Sequence, residues 1–205
     1  MKHTCVVMML CALWVSRAAG ACSVPNNIQS ADVRRLAPEL IDTQQSAQAR
    51  DSLAKLATSD PSVMADLENA VPFWIVNCTG SSVWVNAARL AESLKLTAAV
   101  PALVQALDRK YYESPIITAT TALRLDYDTV GRALVAIGDP AIPALSKRWN
   151  QLPDPAQRSR VADILFNIGS PAALKALQWQ SAKETDPWVK GIINARVQWI
   201  QSRSH

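Results

Sequence analysis

The side chains best suited to acid–base chemistry are scarce in this chain. Only two of its 205 residues are histidines, His3 and His205, and they lie near its two ends. Ser–His–Asp and Cys–His sites need a histidine as the base, and a histidine-ligated zinc site needs at least one well-placed imidazole. Asp126 and Asp128 are not followed by carboxylates at calcium-loop spacing, so they are interpreted as a turn and a helix cap. The sequence predicts no catalytic residue, no metal site and no cofactor.

Covalent chemistry is open to two of the four cysteines, Cys22 and Cys78, because Cys5 and Cys11 lie in an N-terminal segment interpreted below as removable. In an exported protein, such a pair favours a disulfide that ties the N-terminal segment to the body. A second interpretation starts from Ala19-Gly20-Ala21, which resembles a relaxed bacterial lipobox and would direct lipidation to Cys22. The sequence leaves both fates of Cys22 open.

Tryptophan is the most conspicuous residue for recognition, with seven copies in the chain. Trp149 and Trp199 fall at helical spacing among aliphatic residues, which favours core packing. Core packing is the default interpretation for the other tryptophans as well. The alternative is that some of them line an aromatic binding groove, for which Trp74, Trp84 and Trp179 are the better candidates because they lie nearer the ends of their segments.

A group of basic residues on two successive predicted helices could form a strip for an acidic partner. The group consists of Lys147, Arg148, Arg158 and Arg160. An ordinary solvated helix face is the alternative interpretation of the same residues.

The elements that carry these side chains follow a repeated pattern of helix ends and starts. Gly138 and Gly169, 31 residues apart, each follow an apolar run, and glycine there supplies the left-handed turn that ends a helix. An Asp-Pro or Ser-Pro pair comes next, in which Asp or Ser caps the following helix and proline occupies its first position. The pairs recur at steps of 15 or 16 residues, at Asp139-Pro140, Asp154-Pro155, Ser170-Pro171 and Asp186-Pro187.

The apolar residues between these signals have helical spacing. Val130, Leu134 and Ile137 stand at i, i+4 and i+7, and Val161 and Leu165 begin the same pattern one unit later. A single helical hairpin cannot bury its apolar face, but stacked hairpins can. The sequence therefore predicts an all-α protein, an α-solenoid of stacked helical hairpins with an irregular helical N-terminal cap.

The segments 134–145 (LVAIGDPAIPAL) and 99–103 (AVPAL) resemble HEAT repeats of the short, phycobilisome-lyase-like type. The resemblance covers roughly residues 82–180, and an insertion around residues 109–127 interrupts it. It implies a stacked helical fold and, for most proteins of that kind, a role as a binding scaffold. A minority are bilin lyases, so a cofactor-handling protein with Cys78 as its reactive thiol is an alternative.

The N-terminus is typical of a secretory signal. An apolar run over residues 6–15 is too short to span a bilayer, and small residues at Ala19 and Ala21 suit a cleavage site. An uncleaved anchor is the alternative. Removal of residues 1–21 lowers Lys+Arg from 21 to 19 against 17 acidic residues, a formal charge of +2. This near balance argues against a nucleic-acid partner.

We predict the following organisation: a signal peptide over residues 1–21, a flexible leader and first helix over 22–44, an N-terminal helical cap over 45–80, and a HEAT-like repeat domain over 81–205. The expected protein is an exported, periplasmic or extracellular, non-catalytic scaffold whose partner is another protein. A membrane enters only if Cys22 is lipidated or the signal is retained. The remaining alternative is a structural envelope protein that self-associates through residues 71–76 or the closing helix.

Overall fold

The computed structural model describes residues 22–41, 45–79, 82–109 and 128–202. Within these ranges the chain is all-helical, with ten α-helices packed against each other and no β-strand. The helices are α1 (Ala31–Leu36), α2 (Ser46–Ser59), α3 (Pro61–Asn77), α4 (Val83–Leu94), α5 (Val100–Gln105), α6 (Thr129–Ile137), α7 (Ile142–Trp149), α8 (Pro155–Ile168), α9 (Pro171–Lys183) and α10 (Pro187–Ser202). The signal-peptide prediction and most of the predicted 109–127 insertion lie outside the described residues.

Side-chain caps start most of these helices, as the Asp-Pro and Ser-Pro pairs predict. The cap oxygens accept bonds at 2.8–3.1 Å from backbone N–H groups in the first turn of α3, α6, α8, α9 and α10, and they belong to Asp60, Asp128, Asp154, Ser170 and Asp186, respectively. Each bond satisfies a helix-start amide that has no partner within its own helix. At Asp139 the chain instead forms a 3₁₀ turn, Asp139–Ala141, before α7 begins.

Glycine ends two helices by adopting positive φ. Gly138 follows α6 with φ 79°, and Gly169 follows α8 with φ 69°. Among the described residues Lys95, after α4, is the only non-glycine with positive φ, at 51°. The predicted helix ends at both glycines are confirmed.

Proline has different effects in α1 and α3. Pro38 stands where α1 has given way to a 3₁₀ segment, Ala37–Leu40. Pro72 lies inside α3, which continues to Asn77. The apolar run over residues 71–76, for which the sequence allows a helix turn or a strand, is therefore helical.

The helices contact each other in two series. In one series α2 contacts α4, α4 contacts α6, α6 contacts α8, and α8 contacts α10. In the other, α3 contacts α5, α5 contacts α7, and α7 contacts α9. One apolar core connects the described helices, and its largest fully buried side chains include Leu53, Trp74, Leu90, Leu103, Leu134, Leu145, Leu165 and Leu177. None of the described helices has the length and apolar character needed to cross a membrane.

Residues 22–30, hereafter the N-terminal arm, contain no helix and turn at residues 26–27, where the Ile28 N–H donates to the Pro25 carbonyl at 3.2 Å, and they are anchored to the body. Ile28 is 2% exposed, and the backbone N–H groups of Gln29 and Ser30 both donate to Oδ2 of Asp66, at 2.9 and 2.5 Å. Ser30 then caps α1 through its side chain. The segment expected to be a flexible leader is thus held against α3 by a buried side chain and two hydrogen bonds.

Candidate functional site

Exposed tryptophans are concentrated on the last two helices. In the described part of the chain four large hydrophobic side chains are exposed, and three of them are Trp179 on α9 (46%) and Trp188 (56%) and Trp199 (46%) on α10. Monomeric proteins seldom leave several large aromatic side chains in water close together along the chain, and tryptophan is enriched where partners bind. This region is therefore the first candidate for a binding surface.

The three candidate groove tryptophans are divided by the structure. Trp179 is exposed, but Trp74 and Trp84 are only 1% and 6% exposed. Trp74 is among the largest fully buried side chains of the core, and Trp84 lies under the guanidinium of Arg109, 5.5 Å from its ring centroid. These two residues cannot line an exposed groove, because their neighbours already cover them. Trp149 is buried as expected, whereas Trp199, expected in the core, is not.

The exposed face of α10 forms a continuous apolar strip. Trp188, Ile192, Ala195 and Trp199 stand at i, i+4, i+7 and i+11, so they share one side of the helix. We call these four residues the α10 tryptophan face. The ring of Phe166 on α8 meets Trp199 edge-on, with centroids 5.0 Å apart and planes at 67°. The guanidinium of Arg196 lies over the ring of Phe166, 4.8 Å from its centroid.

Gly191 lies beside this face in the middle of α10. A Cβ at this position would meet no heavy atom within 4 Å, so packing within the described chain does not require glycine. Glycine inside a helix costs roughly 0.5–1 kcal/mol relative to alanine. The residue thus leaves a flat spot on the surface next to Trp188 and Ile192, at a cost in helix stability.

A shallow groove between α9 and α10 lies close to these residues in the sequence. Its volume is about 330 Å³, and it is lined by Gln178, Ser181, Ala182, Lys190, Asn194 and Val197. Within it the Ser181 hydroxyl donates to the amide oxygen of Asn194 at 2.6 Å. The ammonium of Lys183 lies 3.5 Å from the centroid of the Trp179 ring, on the same helix. The groove offers hydrogen-bonding groups and one lysine, whereas the α10 tryptophan face offers apolar area.

The predicted basic strip is largely engaged within the protein. Arg158 makes a two-point ion pair with Glu184, at 2.9 and 3.2 Å, and donates to the carbonyls of Leu152 and Pro153. Arg148 pairs with Asp108 at 2.5 Å. Lys147 is the member of the group that is exposed.

Arg160 is bound as extensively as Arg158. Its guanidinium donates to both carboxylate oxygens of Asp128, at 2.6 and 2.5 Å, and to the carbonyl of Leu107. The side chains of Arg160 and Asp128 are 11% and 3% exposed. Arg160 and Arg158 are already paired with the carboxylates of Asp128 and Glu184. Their guanidinium groups therefore have little capacity left to bind an acidic partner.

Two buried carboxyl groups near this surface have shifted pKa values. Burial raises the pKa of Asp163, and the ion pair with Arg196 only partly offsets it. Burial also acts to raise the pKa of Glu184, but hydrogen bonds from Arg158 and from the backbone of Asp186 and Thr185 outweigh it and lower that pKa. Each of these carboxyl groups pairs with an arginine from another helix, so we interpret both as residues that stabilise the fold.

The two cysteines predicted to pair lie together. Cys22 in the N-terminal arm and Cys78 at the end of α3 are hydrogen-bonded through their side chains. Cys78 is 1% exposed, and burial together with Cys22 raises the pKa of Cys78 to about 12. A thiol that is buried and protonated at neutral pH is a poor nucleophile, which argues against Cys78 as a reactive cysteine for cofactor attachment.

Comparison of the chain with protein-family models, with curated proteins and with solved structures finds no match. In the described residues no group of three or more histidine, cysteine, aspartate or glutamate side chains is placed to hold a metal ion. The surface described above offers aromatic area, a small groove and few unengaged charges.

Proposed function

We propose that the protein is a HEAT-like α-solenoid that binds another protein without catalysing a reaction. The two series of helix contacts support the architecture, because alternate helices of stacked hairpins touch their counterparts in the next hairpin. The repeated caps at Asp154, Ser170 and Asp186 support it further, since they start successive helices by the same device.

The binding surface that we propose is the α10 tryptophan face. The observation that carries this proposal is the exposure of three tryptophans on two adjacent helices while Trp74, Trp84 and Trp149 are buried. Tryptophan gives a large apolar contact with little loss of side-chain entropy, and such residues dominate binding energy at protein interfaces. The matching partner is an apolar helix or extended segment rather than an acidic one, because Arg148, Arg158 and Arg160 are in internal ion pairs.

Gly191 fits the same surface. A glycine that costs helix stability and has open space around it allows close approach by a partner's backbone. Replacement by alanine would then weaken binding while it strengthens the helix. This opposite effect on binding and stability distinguishes an interface glycine from one that is merely tolerated.

Site-specific photo-crosslinking tests the proposed surface. A benzophenone amino acid is placed at Trp199 and, as a matched control, at Lys55, an exposed residue of α2. In cells of the native host we expect one dominant cross-linked protein from position 199 and none from position 55. We also expect Trp188→Ala, whose side chain is half exposed, to reduce that cross-link at least tenfold with little change in melting temperature.

Two other results have clear meanings. The same cross-links from both positions would show that the α10 tryptophan face has no selectivity, and the binding proposal would be rejected. Cross-links between two copies of this chain would favour the alternative function, a self-associating envelope protein, over the binding scaffold.

Export is a separate part of the proposal and is supported by the signal-like pattern of residues 1–21. Purification of the mature protein from the host envelope, with Cys22 as its first residue, is the expected result. A cytoplasmic chain that retains Met1–Ala21 would contradict it.

A further inference from the structure

The N-terminal arm runs along α3 and touches it near both of its ends. At one end Gln29 and Ser30 bind Asp66 in the first half of α3, and at the other end Cys22 contacts Cys78 just after the last turn. Twelve residues of helix between Asp66 and Cys78 span about 18 Å. The arm from Cys22 to Ser30 can reach about 28 Å when fully extended, so it covers this distance without strain. The arm is therefore antiparallel to α3.

The contact between the cysteines is part of the core rather than a chance meeting at the surface. Cys78 is 1% exposed and is the residue that ends α3, with its N–H bonded to the carbonyl of Trp74 at 3.0 Å. Cys22 is half-buried and packs against the same core together with Val24. Ile28, 2% exposed, fixes the other end of the arm. Because both side chains pack in the core at this position, each cysteine is the best-placed disulfide partner of the other.

We propose that Cys22 and Cys78 form an intramolecular disulfide that fastens the N-terminal arm along α3. The bond forms by thiol–disulfide exchange with a disulfide oxidant, either a small molecule such as oxidised glutathione or an oxidoreductase. Cys22, the more accessible thiol, loses its proton and attacks the oxidant, which releases one of its two thiols and leaves a mixed disulfide on Cys22. Cys78 is a poor nucleophile toward molecules in solution, but it already lies against Cys22, and this proximity compensates for its low reactivity. It loses its proton and attacks the sulfur of Cys22, and the second thiol of the oxidant leaves. Two protein thiols are oxidised and one oxidant disulfide is reduced to two thiols.

This pairing decides between the two fates of Cys22. A sulfur atom in a disulfide cannot also carry a diacylglyceryl group in a thioether bond. In addition, the Cys22 side chain packs against Cys78 and the core, so an attached lipid would have to extend from a half-buried sulfur atom to the membrane. The disulfide therefore excludes a lipid anchor at Cys22. Any membrane attachment of the chain would then have to come from elsewhere.

The experiment starts from the reduced full-length chain, so that it does not depend on export. The chain is incubated with oxidised glutathione, denatured with excess maleimide and no reductant, digested and analysed by mass spectrometry. We expect neither Cys22 nor Cys78 to be alkylated and one peptide pair to be joined through them. Oxidation should also raise the melting temperature by roughly 10 °C, because the bond closes a loop of 57 residues in the unfolded chain.

Cys22→Ser is the matched control, because its half-buried position tolerates a hydroxyl. This variant should melt with the reduced wild type and should not respond to oxidised glutathione. Any of three results would overturn the proposal: alkylation of both cysteines after oxidation, a stable glutathione adduct on Cys22, or a bond from Cys22 to Cys5 or Cys11. The native protein from its host gives a further decision, since a diacylglyceryl group on Cys22 would also overturn it.

Discussion

Asp163 and Glu184 are buried carboxyl groups that both pair with arginine, yet their pKa values move in opposite directions. Asp163 accepts from Arg196 alone among charged groups, and burial dominates, so its pKa is raised. Glu184 accepts two bonds from Arg158 and two from backbone N–H groups, which together outweigh burial and lower its pKa. The number of donors that reach the carboxylate decides the sign.

The two shifts predict opposite pH dependence for the matched variants Glu184→Gln and Asp163→Asn. The folded pKa of Glu184 lies below its unfolded value, so its contribution is present above the unfolded pKa and is lost as the pH falls through the folded pKa. Glu184→Gln should therefore lower the free energy of unfolding by about 1–3 kcal/mol at neutral pH, and by less in acid. The folded pKa of Asp163 lies above its unfolded value, so its contribution is lost as the pH rises.

The free energy of unfolding of Asp163→Asn should consequently increase relative to that of the wild type as the pH rises from acid to neutral. Urea unfolding of both variants and the wild type at several pH values between 3 and 7 measures this. If the two variants changed in the same direction with pH, the opposite shifts assigned to Asp163 and Glu184 would be wrong.

At the scale of the element, the helical spacing in α10 predicts the helix but not which of its faces is buried. The helix carries two apolar stripes, one with Trp188 and Trp199 and another with Val189 and Ile193. Both have the 3.6-residue period, so the pattern predicts a helix but not which stripe is buried. In the structure Val189 and Ile193 are 0% exposed and the tryptophans face water. The choice depends on how α10 packs on α8 and α9, which no local pattern encodes.

The caps and helix ends were predictable because they are local. A side-chain oxygen at Asp154, Ser170 or Asp186 reaches an amide two or three residues away, and Gly138 and Gly169 act on their own backbone. The ion pairs of the predicted basic strip were not predictable in this way. Arg158 meets Glu184 across 26 residues of sequence, and Arg160 meets Asp128 across 32. Nothing in the spacing of the arginines distinguishes such a pair from a solvated face.

Two glycines allow a test of helix energetics within this one fold. Gly191 is helical with open space around it, so Gly191→Ala should raise the free energy of unfolding by roughly 0.5–1 kcal/mol. Gly138 also has open space but has φ 79°, so Gly138→Ala should lower the free energy of unfolding by at least about 1 kcal/mol through backbone strain. Thermal melts of both variants measure the pair. Destabilisation by Gly191→Ala would mean that α10 packs more closely at this point than the structure shows.

At the scale of the whole molecule, the helices on either side of residues 110–127 are joined by packing and by polar links. The packing is that of α4 and α5 on α6, and of α5 on α7. Among the polar links is Arg160 of α8, which binds both the cap residue of α6, Asp128, and the carbonyl of Leu107, just after α5. One guanidinium thus connects α8 to the start of α6 and to the end of α5.

We expect Arg160→Ala to lower the free energy of unfolding by about 3 kcal/mol, because it leaves the 3%-exposed carboxylate of Asp128 without its partner. Urea denaturation should show a lower midpoint with an unchanged slope, since the apolar contacts of α4, α5 and α6 remain and keep the chain one cooperative unit. Arg160→Lys is the matched control. It keeps the charge but cannot reach both carboxylate oxygens and the carbonyl at once, so it should restore less than half of the loss. A reduced slope in Arg160→Ala would instead show that the two sides of residues 110–127 unfold separately, and that the guanidinium, rather than the core, makes unfolding cooperative.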